Sequence, residues 1–444
     1  MKTKNIAKKP PMGWNSWDCY GATVKEEEVL GNAAYMATYL KDYGWEYVVV
    51  DIQWYEPNAV SSAYNAYFTL EMDEYSRLMP AVNRFPSAAN GVGFKELGAK
   101  IHDLGLKFGI HIMRGIPRQA VHQNTKVLGT TATARDIAHP NSICPWNTDM
   151  YGVNPFAEGA QEYYNSIFEL YASWGVDYVK VDDIADSKIY GGAHIEEIKM
   201  IQKAIRNSGR GMVLSLSPGP APLEQAEMFK EYANVWRMTD DYWDKWHYLY
   251  GMFERCEKWA EHVGPGNWPD CDMLPLGHIG IRSVDGFWDE PPLPAGQMRD
   301  RMTRFTKDEQ KTMMALWCIF RSPLMFGGEL RDNDDFTLSL LTNKDLMDMP
   351  KQITKSYQLS RIGDLIIWRG EAGTRNYFAL FNASEFHAEM TLNLKDFGLA
   401  AARVSDIWTG EDIDVDSPMQ FSVPVHGVVL LKVELHLTKF IDRP

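Results

Sequence analysis

The 444-residue sequence predicts an α/β chain: a (β/α)8 TIM barrel followed by a C-terminal antiparallel β-sandwich. Three observations carry that expectation. Up to residue 350, short apolar runs alternate with longer amphipathic ones, the rhythm of βα units around a parallel sheet. About eight such repeats fit, and a closed barrel is the simplest arrangement for that number. Beyond them, "DLIIWRG", "RNYFALFN", "AEMTLNL", "ARVSDIW" and "GVVLLKVEL" are short β-branched and aromatic runs separated by turn signals. The expected domains are therefore 1–350, the barrel, and 351–444, the β-sandwich.

In chain order, "MGWNSW" supplies a first strand. Further strands are expected at 47–51, 107–113, 177–183, 211–217, 235–240 and 270–274, with a last one inside "WCIFRSPLMFGG". Between them, "KEEEVLGNAAYMATYLKDYG", "FAEGAQEYYNSIFELYASWG", "HIEEIKMIQKAIRNSG" and "KWHYLYGMFERCEKWAEHV" have helical patterning, several ending at glycine. Thr23 with Glu26, and Thr306 with Glu309, have capping-box spacing and predict two helix starts. A doubly wound open sheet would carry a glycine-rich phosphate loop after its first strand, and none is present. The segment 114–155 is too long for an ordinary βα loop, so it is expected to cover a site or to mediate assembly.

Composition excludes several classes. The 59 acids against 45 bases leave a net charge of -14, which repels a phosphate backbone, so nucleic acid is not an expected partner. The basic start has no apolar stretch behind it, and nowhere do ~18 apolar residues run together as a membrane span requires. The expectation is a soluble, cytoplasmic chain with no membrane partner. Five scattered cysteines without CxxC spacing argue against a disulfide scaffold or a zinc site. Only His111 among the histidines ends a candidate strand, and no HxH or HExxH pattern occurs, which disfavours metal chemistry.

In such a barrel the site lies where the strands end, so polar residues just after apolar runs are informative. They are Asp51, Lys180, Asp182, Asp183, Arg237, Asp240, Asp241 and Asp272, with Trp14, Trp17, Trp54 and Trp236 nearby in sequence. Carboxylates that accept hydrogen bonds from hydroxyls, beside flat aromatic faces, suit sugar chemistry. Lys180 and Asp182 are two apart on a strand and face the same way. An ammonium there favours an ionised carboxylate, as a nucleophile needs. A structural salt bridge explains that pair as well, and solvated acids before "YWDKW" explain Asp241.

Taken together, "PPMGWNSWDCYG", "YVVVDIQW", "YVKVDDI", "VWRMTDD", "WPDCDMLPLG" and "RSPLMFGGELR" resemble glycoside hydrolase family 27, the α-galactosidase and α-N-acetylgalactosaminidase family, in order and spacing. The resemblance implies a retaining mechanism without a cofactor. Asp182 falls on the nucleophile position and Asp241 on the acid/base position, with carboxyl groups expected roughly 5 to 5.5 Å apart. Trp17, Asp51, Lys180, Arg237 and Asp272 fall on positions that hold the sugar. Trp54 and His111, the latter in place of a usual tyrosine, are counted with them.

Two departures from the family pattern bear on the substrate. Galactosidases usually carry a second aspartate, which grips the O6 hydroxyl, where this chain has Ile52. β-L-Arabinopyranose is α-D-galactose without its hydroxymethyl group, and an apolar residue suits the vacated place. Ser217 stands where galactosidases place Glu, and a serine there resembles the N-acetylgalactosaminidases. The expectation is an exo-acting glycosidase releasing terminal β-L-arabinopyranosyl units, with weaker α-D-galactosidase activity. α-Galactosidase, α-N-acetylgalactosaminidase and a non-catalytic sugar-binding barrel are the alternatives. The expected partner is a small glycoside or oligosaccharide, and a homo-oligomer is left open.

Overall fold

The computed structural model describes residues 6–61, 64–283, 299–415 and 418–436. Its barrel strands are β1 (Met12–Asn15), β2 (Tyr47–Val50), β3 (Lys107–Met113), β4 (Val176–Asp182), β5 (Val213–Leu216), β6 (Val235–Arg237), β7 (Trp268–Asp270) and β8 (Leu324–Phe326). They pair in parallel in the order β7-β6-β5-β4-β3-β2-β1-β8. Leu274, just past β7, forms a parallel bridge to Phe326 and donates its N–H to the Met325 carbonyl at 2.8 Å. That bridge closes the ring. Val48, Val49 and Val50 of β2, like Leu214 and Leu216 of β5, are fully buried, as strands covered on both faces must be. Gly13 is required where β1 meets β2, because a Cβ there would lie 2.2 Å from the Tyr47 carbonyl oxygen.

Two expected details are corrected. The seventh strand is 268–270 rather than 270–274, because Asp272 has φ 77°, a left-handed conformation that ends an extended run. The second helix begins at Glu26, but Lys25 is its cap: the Glu28 carboxylate accepts from the Lys25 N–H at 2.8 Å, while Thr23 turns back to donate to the Tyr20 carbonyl. Thr306 and Glu309 do form a reciprocal capping box, at 2.8 and 3.2 Å.

The chain groups into two compact units. The first, Met1–Trp243, Pro265–Thr303 and Pro323–Asp334, holds all eight barrel strands. The second, Asp244–Gly264, Arg304–Ser322 and Asp335–Pro444, takes in the helices Trp246–Trp259 and Lys307–Phe320 as well as the C-terminal strands. Its main sheet is antiparallel and six-stranded, running Lys355–Ile362, Leu365–Ala372, Arg375–Asn382, Val428–Leu435, Ala401–Asp406, Asp412–Ile413. A second sheet pairs Ala388–Leu392 with Met419–Val423. Phe378, Leu380, Leu431 and Val433 from the large sheet pack with Met390, Leu392 and Met419 from the small one, which makes the β-sandwich.

The long 114–155 segment is structured. Ile116–Pro117, Met150–Val153 and Ala138–Ile143 form a three-stranded sheet, with short helices at Arg118–Gln123 and Ala134–Ile137. Among the described residues, no helix is long and apolar enough to cross a membrane. All five cysteines are buried.

Candidate active site

The C-terminal ends of the strands bring most of the expected polar residues together. Asp51, one residue past β2, is almost fully buried. Its Oδ2 accepts from Asn15 Nδ2 at 2.8 Å and Lys180 Nζ at 3.0 Å, and its Oδ1 accepts from the Ile52 N–H at 2.9 Å. Burial alone would raise its pKa, but the Lys180 charge and these hydrogen bonds hold it below the usual carboxylate range.

Lys180 pairs with Asp51, not with Asp182 as the two-residue spacing on β4 would allow. His111, the register partner of Lys180 across β3 and β4, reaches Asp182 instead: its Nε2 donates to Oδ2 at 3.0 Å. The other Asp182 oxygen accepts the Asp183 N–H at 2.9 Å. Burial opposes ionisation of Asp182, yet the His111 hydrogen bond and the charges of Lys180 and Arg237 depress its pKa well below normal. It is a carboxylate at any ordinary pH, the state a nucleophile requires.

Asp241 has the opposite bias. Its carboxylate accepts from Arg237 Nη2 at 2.6 Å, and Arg237 Nη1 lies 3.5 Å from Asp272. Partial desolvation raises the Asp241 pKa, and the nearby Asp272 and Asp240 charges add to this against Arg237. Its side chain is nonetheless 60% exposed, so it faces the open side of the site. One carboxyl held ionised and another biased to keep its proton is the division of labour that acid–base and nucleophilic work on one bond demands.

Lys180, Ser217, Arg237 and Asp272 line a common recess with Asn15, Asp270 and Met273. Asp272 is fixed by the Tyr242 N–H at 2.9 Å, and Ser217 Oγ turns back to the Val181 carbonyl at 3.4 Å. Burial, reinforced by Asp272, pushes Asp270 up to about 7. Ile52 is 2% exposed. Gln53, the polar residue beside it, is fully enclosed and donates to Asp149 at 2.7 Å.

Trp54 is not available to a sugar, which corrects the expectation. It is fully enclosed, its indole N–H donates to the His111 carbonyl at 2.7 Å, and its ring sits edge-on to Tyr55, Phe94 and Trp174. Trp14 and Trp236 are also fully buried; only Trp17 of the four is partly exposed.

Sequence reasoning missed residues that complete the site. Asn15 ends β1 and could have been found as a strand-end polar group. Arg114 follows β3: its Nε donates to the Asp183 carbonyl at 2.6 Å, and it pairs with the Asp183 and Glu197 carboxylates at 2.9 and 3.0 Å. Burial pushes Asp183 up to about 7, helped by Asp182 and Glu197 and opposed by Arg114. Tyr64 stacks on Trp17 with no local signal to announce it.

Comparison with known proteins agrees with this fold. Residues 148–290 match the family described as alpha galactosidase A, and 362–433 the alpha galactosidase C-terminal beta sandwich domain. A glycoside hydrolase family 27 β-L-arabinopyranosidase from Geobacillus stearothermophilus is 62% identical, with a TM-score of 0.93 and 98% of each chain covered. A variant of it was solved in complex with arabinose. A Bacillus halodurans structure, provisionally described as an α-N-acetylgalactosaminidase, is 56% identical over 98% of this chain and 100% of that one, with a TM-score of 0.86. "Alpha-galactosidase A" of Cellvibrio japonicus is 26% identical over 97% of this chain and 93% of its own length.

Proposed function

Because the chain belongs to glycoside hydrolase family 27, we propose that it is a retaining exo-glycosidase that releases terminal β-L-arabinopyranosyl units and acts more slowly on α-D-galactosides. The observation that carries the sugar preference is Ile52, an enclosed apolar residue directly after Asp51, whose N–H binds the Asp51 carboxylate. A galactose O6 hydroxyl buried against it would cost about 1 to 3 kcal/mol, and apolar pockets reject an added hydroxyl by roughly 100-fold. The neighbouring Gln53 is fully enclosed and its Nε2 donates to Asp149, which leaves its Oε1 as the one amide atom that could serve an O6 hydroxyl.

In the proposed mechanism an Asp182 oxygen attacks the anomeric carbon as the C1–O bond breaks, and the Asp241 proton goes to the departing oxygen. Asp241, now a carboxylate, takes a proton from water. That water oxygen then bonds to the anomeric carbon and Asp182 is released. Asp51 and Lys180 hold hydroxyls common to both sugars, with Asp272 and Arg237 on the side of the bond that breaks.

Ser217 favours a second reading, α-N-acetylgalactosaminidase, because a small side chain in the recess leaves room for a C2 substituent. Comparing kcat/KM on aryl β-L-arabinopyranoside, α-D-galactoside and α-D-N-acetylgalactosaminide decides among them. The arabinopyranoside is expected to be fastest, with the same anomeric configuration in the first-formed product, and Asp182→Ala to abolish turnover. Faster hydrolysis of either rival sinks the sugar preference, inverted product the mechanism, and undiminished turnover of the variant the nucleophile.

A further inference from the structure

We propose that Arg114 is a positioning residue for the nucleophile: by gripping Asp183 it fixes the peptide between Asp182 and Asp183, so that the Asp183 N–H stays on the Asp182 carboxylate. This rests on the reading of Asp182 as the nucleophile. It also gives the long 114–155 segment a task, which is to enclose the clamp.

Both Asp182 oxygens have a donor. His111 Nε2 meets Oδ2 at 3.0 Å, and the N–H of the next residue, Asp183, meets Oδ1 at 2.9 Å. The second bond depends on how the 182–183 peptide is turned. That peptide is planar, so it swings only through ψ of Asp182 and φ of Asp183. The chain is pinned on either side of it: the Ser217 N–H donates to the Val181 carbonyl at 2.9 Å, and the Ile184 and Ala185 N–H groups donate to the Ser217 carbonyl at 3.0 and 3.2 Å. With both flanks fixed, a change in φ of Asp183 must be offset by ψ of Asp182, and the peptide between them rotates. The Asp183 N–H then leaves Oδ1.

Asp183 has φ 55°, in the left-handed region. For a residue other than glycine that conformation is disfavoured by roughly 5- to 30-fold, so something must hold it. Arg114 is placed to do so. Its backbone N–H donates to the Asp182 carbonyl at 3.1 Å, its Nε donates to the Asp183 carbonyl at 2.6 Å, and its Nη2 lies 2.9 Å from the Asp183 carboxylate. One residue therefore grips the peptide in question, the carbonyl that follows it and the side chain between them.

This is not a solvated surface pair, because Arg114, Asp183 and Glu197 are all nearly fully enclosed. The remaining nitrogen, Nη1, donates to Glu197 and to Ser142 Oγ, each at 3.0 Å. Ser142 belongs to the inserted strand Ala138–Ile143, and the neighbouring strand Met150–Val153 passes Arg114 at Gly152, where a Cβ would lie 2.5 Å from Nη1. The insertion thus closes over the guanidinium and supplies one of its acceptors.

Besides His111, the groups that face Asp182 are Lys180 on β4, Arg237 on β6, the Tyr64 hydroxyl from the loop after β2, the Cys144 thiol from the insertion and the Asp183 carboxylate itself. A test must leave the first four in place and treat the last one equally in the variants it compares.

Arg114→Lys keeps the buried charge but loses the fork that reaches carbonyl and carboxylate together. It is assayed on whichever aryl glycoside, β-L-arabinopyranoside or α-D-galactoside, the wild type turns over faster. The variant is expected to lower kcat roughly 5- to 30-fold, the cost of the released conformation. The acid limb of its kcat/KM profile should move to higher pH, since a carboxylate that loses a donor is easier to protonate. Inhibition by the free glycone should hold its wild-type strength, because Asp51, Lys180 and Asp272 are untouched. Adding Asp183→Gly supplies a residue that takes positive φ unaided and should recover most of kcat and return the limb. Adding Asp183→Ala removes the same carboxylate and should recover neither. Equal kcat in the two double variants, or wild-type kcat and limb in Arg114→Lys, would overturn the proposal. Turnover that survives Asp182→Ala, or an inverted product, removes the nucleophile reading instead, whatever the Arg114 series shows.

Discussion

His111 Nε2 donates to Asp182 Oδ2 at 3.0 Å from an imidazole that is wholly enclosed in the barrel. The bond helps to keep Asp182 ionised against the cost of burial. His111→Phe preserves most of the ring volume and removes the donor, so the Asp182 pKa rises. The acid limb of the kcat/KM profile is then expected to move to higher pH and kcat to fall. A limb that stays in place, measured on arabinopyranoside across the acid range, would show that Lys180 and Arg237 alone set the charge state.

Ile52→Asp introduces the acceptor that O6 of galactose lacks in this chain. The ratio of galactoside to arabinopyranoside kcat/KM is expected to rise by roughly 10-fold or more, since a satisfied hydroxyl is worth more than one buried against carbon. An unchanged ratio would mean that Ile52 serves packing only.

Asp270 is buried at the end of β7 with its pKa pushed up to about 7, chiefly by burial and next by Asp272. Its folded pKa lies above the unfolded value of roughly 3.9, so its contribution to stability is complete below that unfolded value and lost as pH rises to about 7. Asp270→Asn keeps a carbonyl to accept the Asp272 N–H, which now sits at 2.9 Å from Oδ1. Denaturant titrations between these pH values are expected to show a flatter slope for the variant, by at most about 1.4 kcal/mol per pH unit. A slope equal to that of the wild type would contradict the assignment.

Arg114 is a buried cation between the Asp183 and Glu197 carboxylates, and the Tyr164 hydroxyl donates to Glu197 at 2.5 Å. Removing it leaves two enclosed acids without their partner. Arg114→Met is expected to cost roughly 3 to 5 kcal/mol in urea denaturation, the usual penalty for breaking a buried pair from one side. Adding Glu197→Gln should recover part of the loss, and if it deepens the loss the network is held by other means.

The barrel could be read from the chain because its determinants are local. β3 at Lys107–Met113 matches its apolar run residue for residue, and β2 and β4 end within one residue of their acids. Alternation along a strand also placed Lys180 and Asp182 on one face. It could not say which acid each would meet. Lys180 took Asp51, 129 residues away, and the bond to Asp182 came from His111, 71 residues away, because strand register across the sheet sets those distances.

The sequence by itself determined that polar groups would collect at the strand ends, and it named Asp51, Asp182, Arg237, Asp241 and Asp272 from their positions after apolar runs. Only the tertiary structure decided which aromatic rings meet solvent. Trp14, Trp54 and Trp236 are as close to strand ends as Trp17, yet their rings are enclosed, and the partly exposed rings that meet beside Trp17 are Tyr64 and Trp146, in loops that carry no periodicity. The physical reason is that a strand's pattern repeats every two residues and can be counted, whereas a loop's backbone course is fixed by distant partners such as Thr148 and Gln119, which come near only once the barrel has closed.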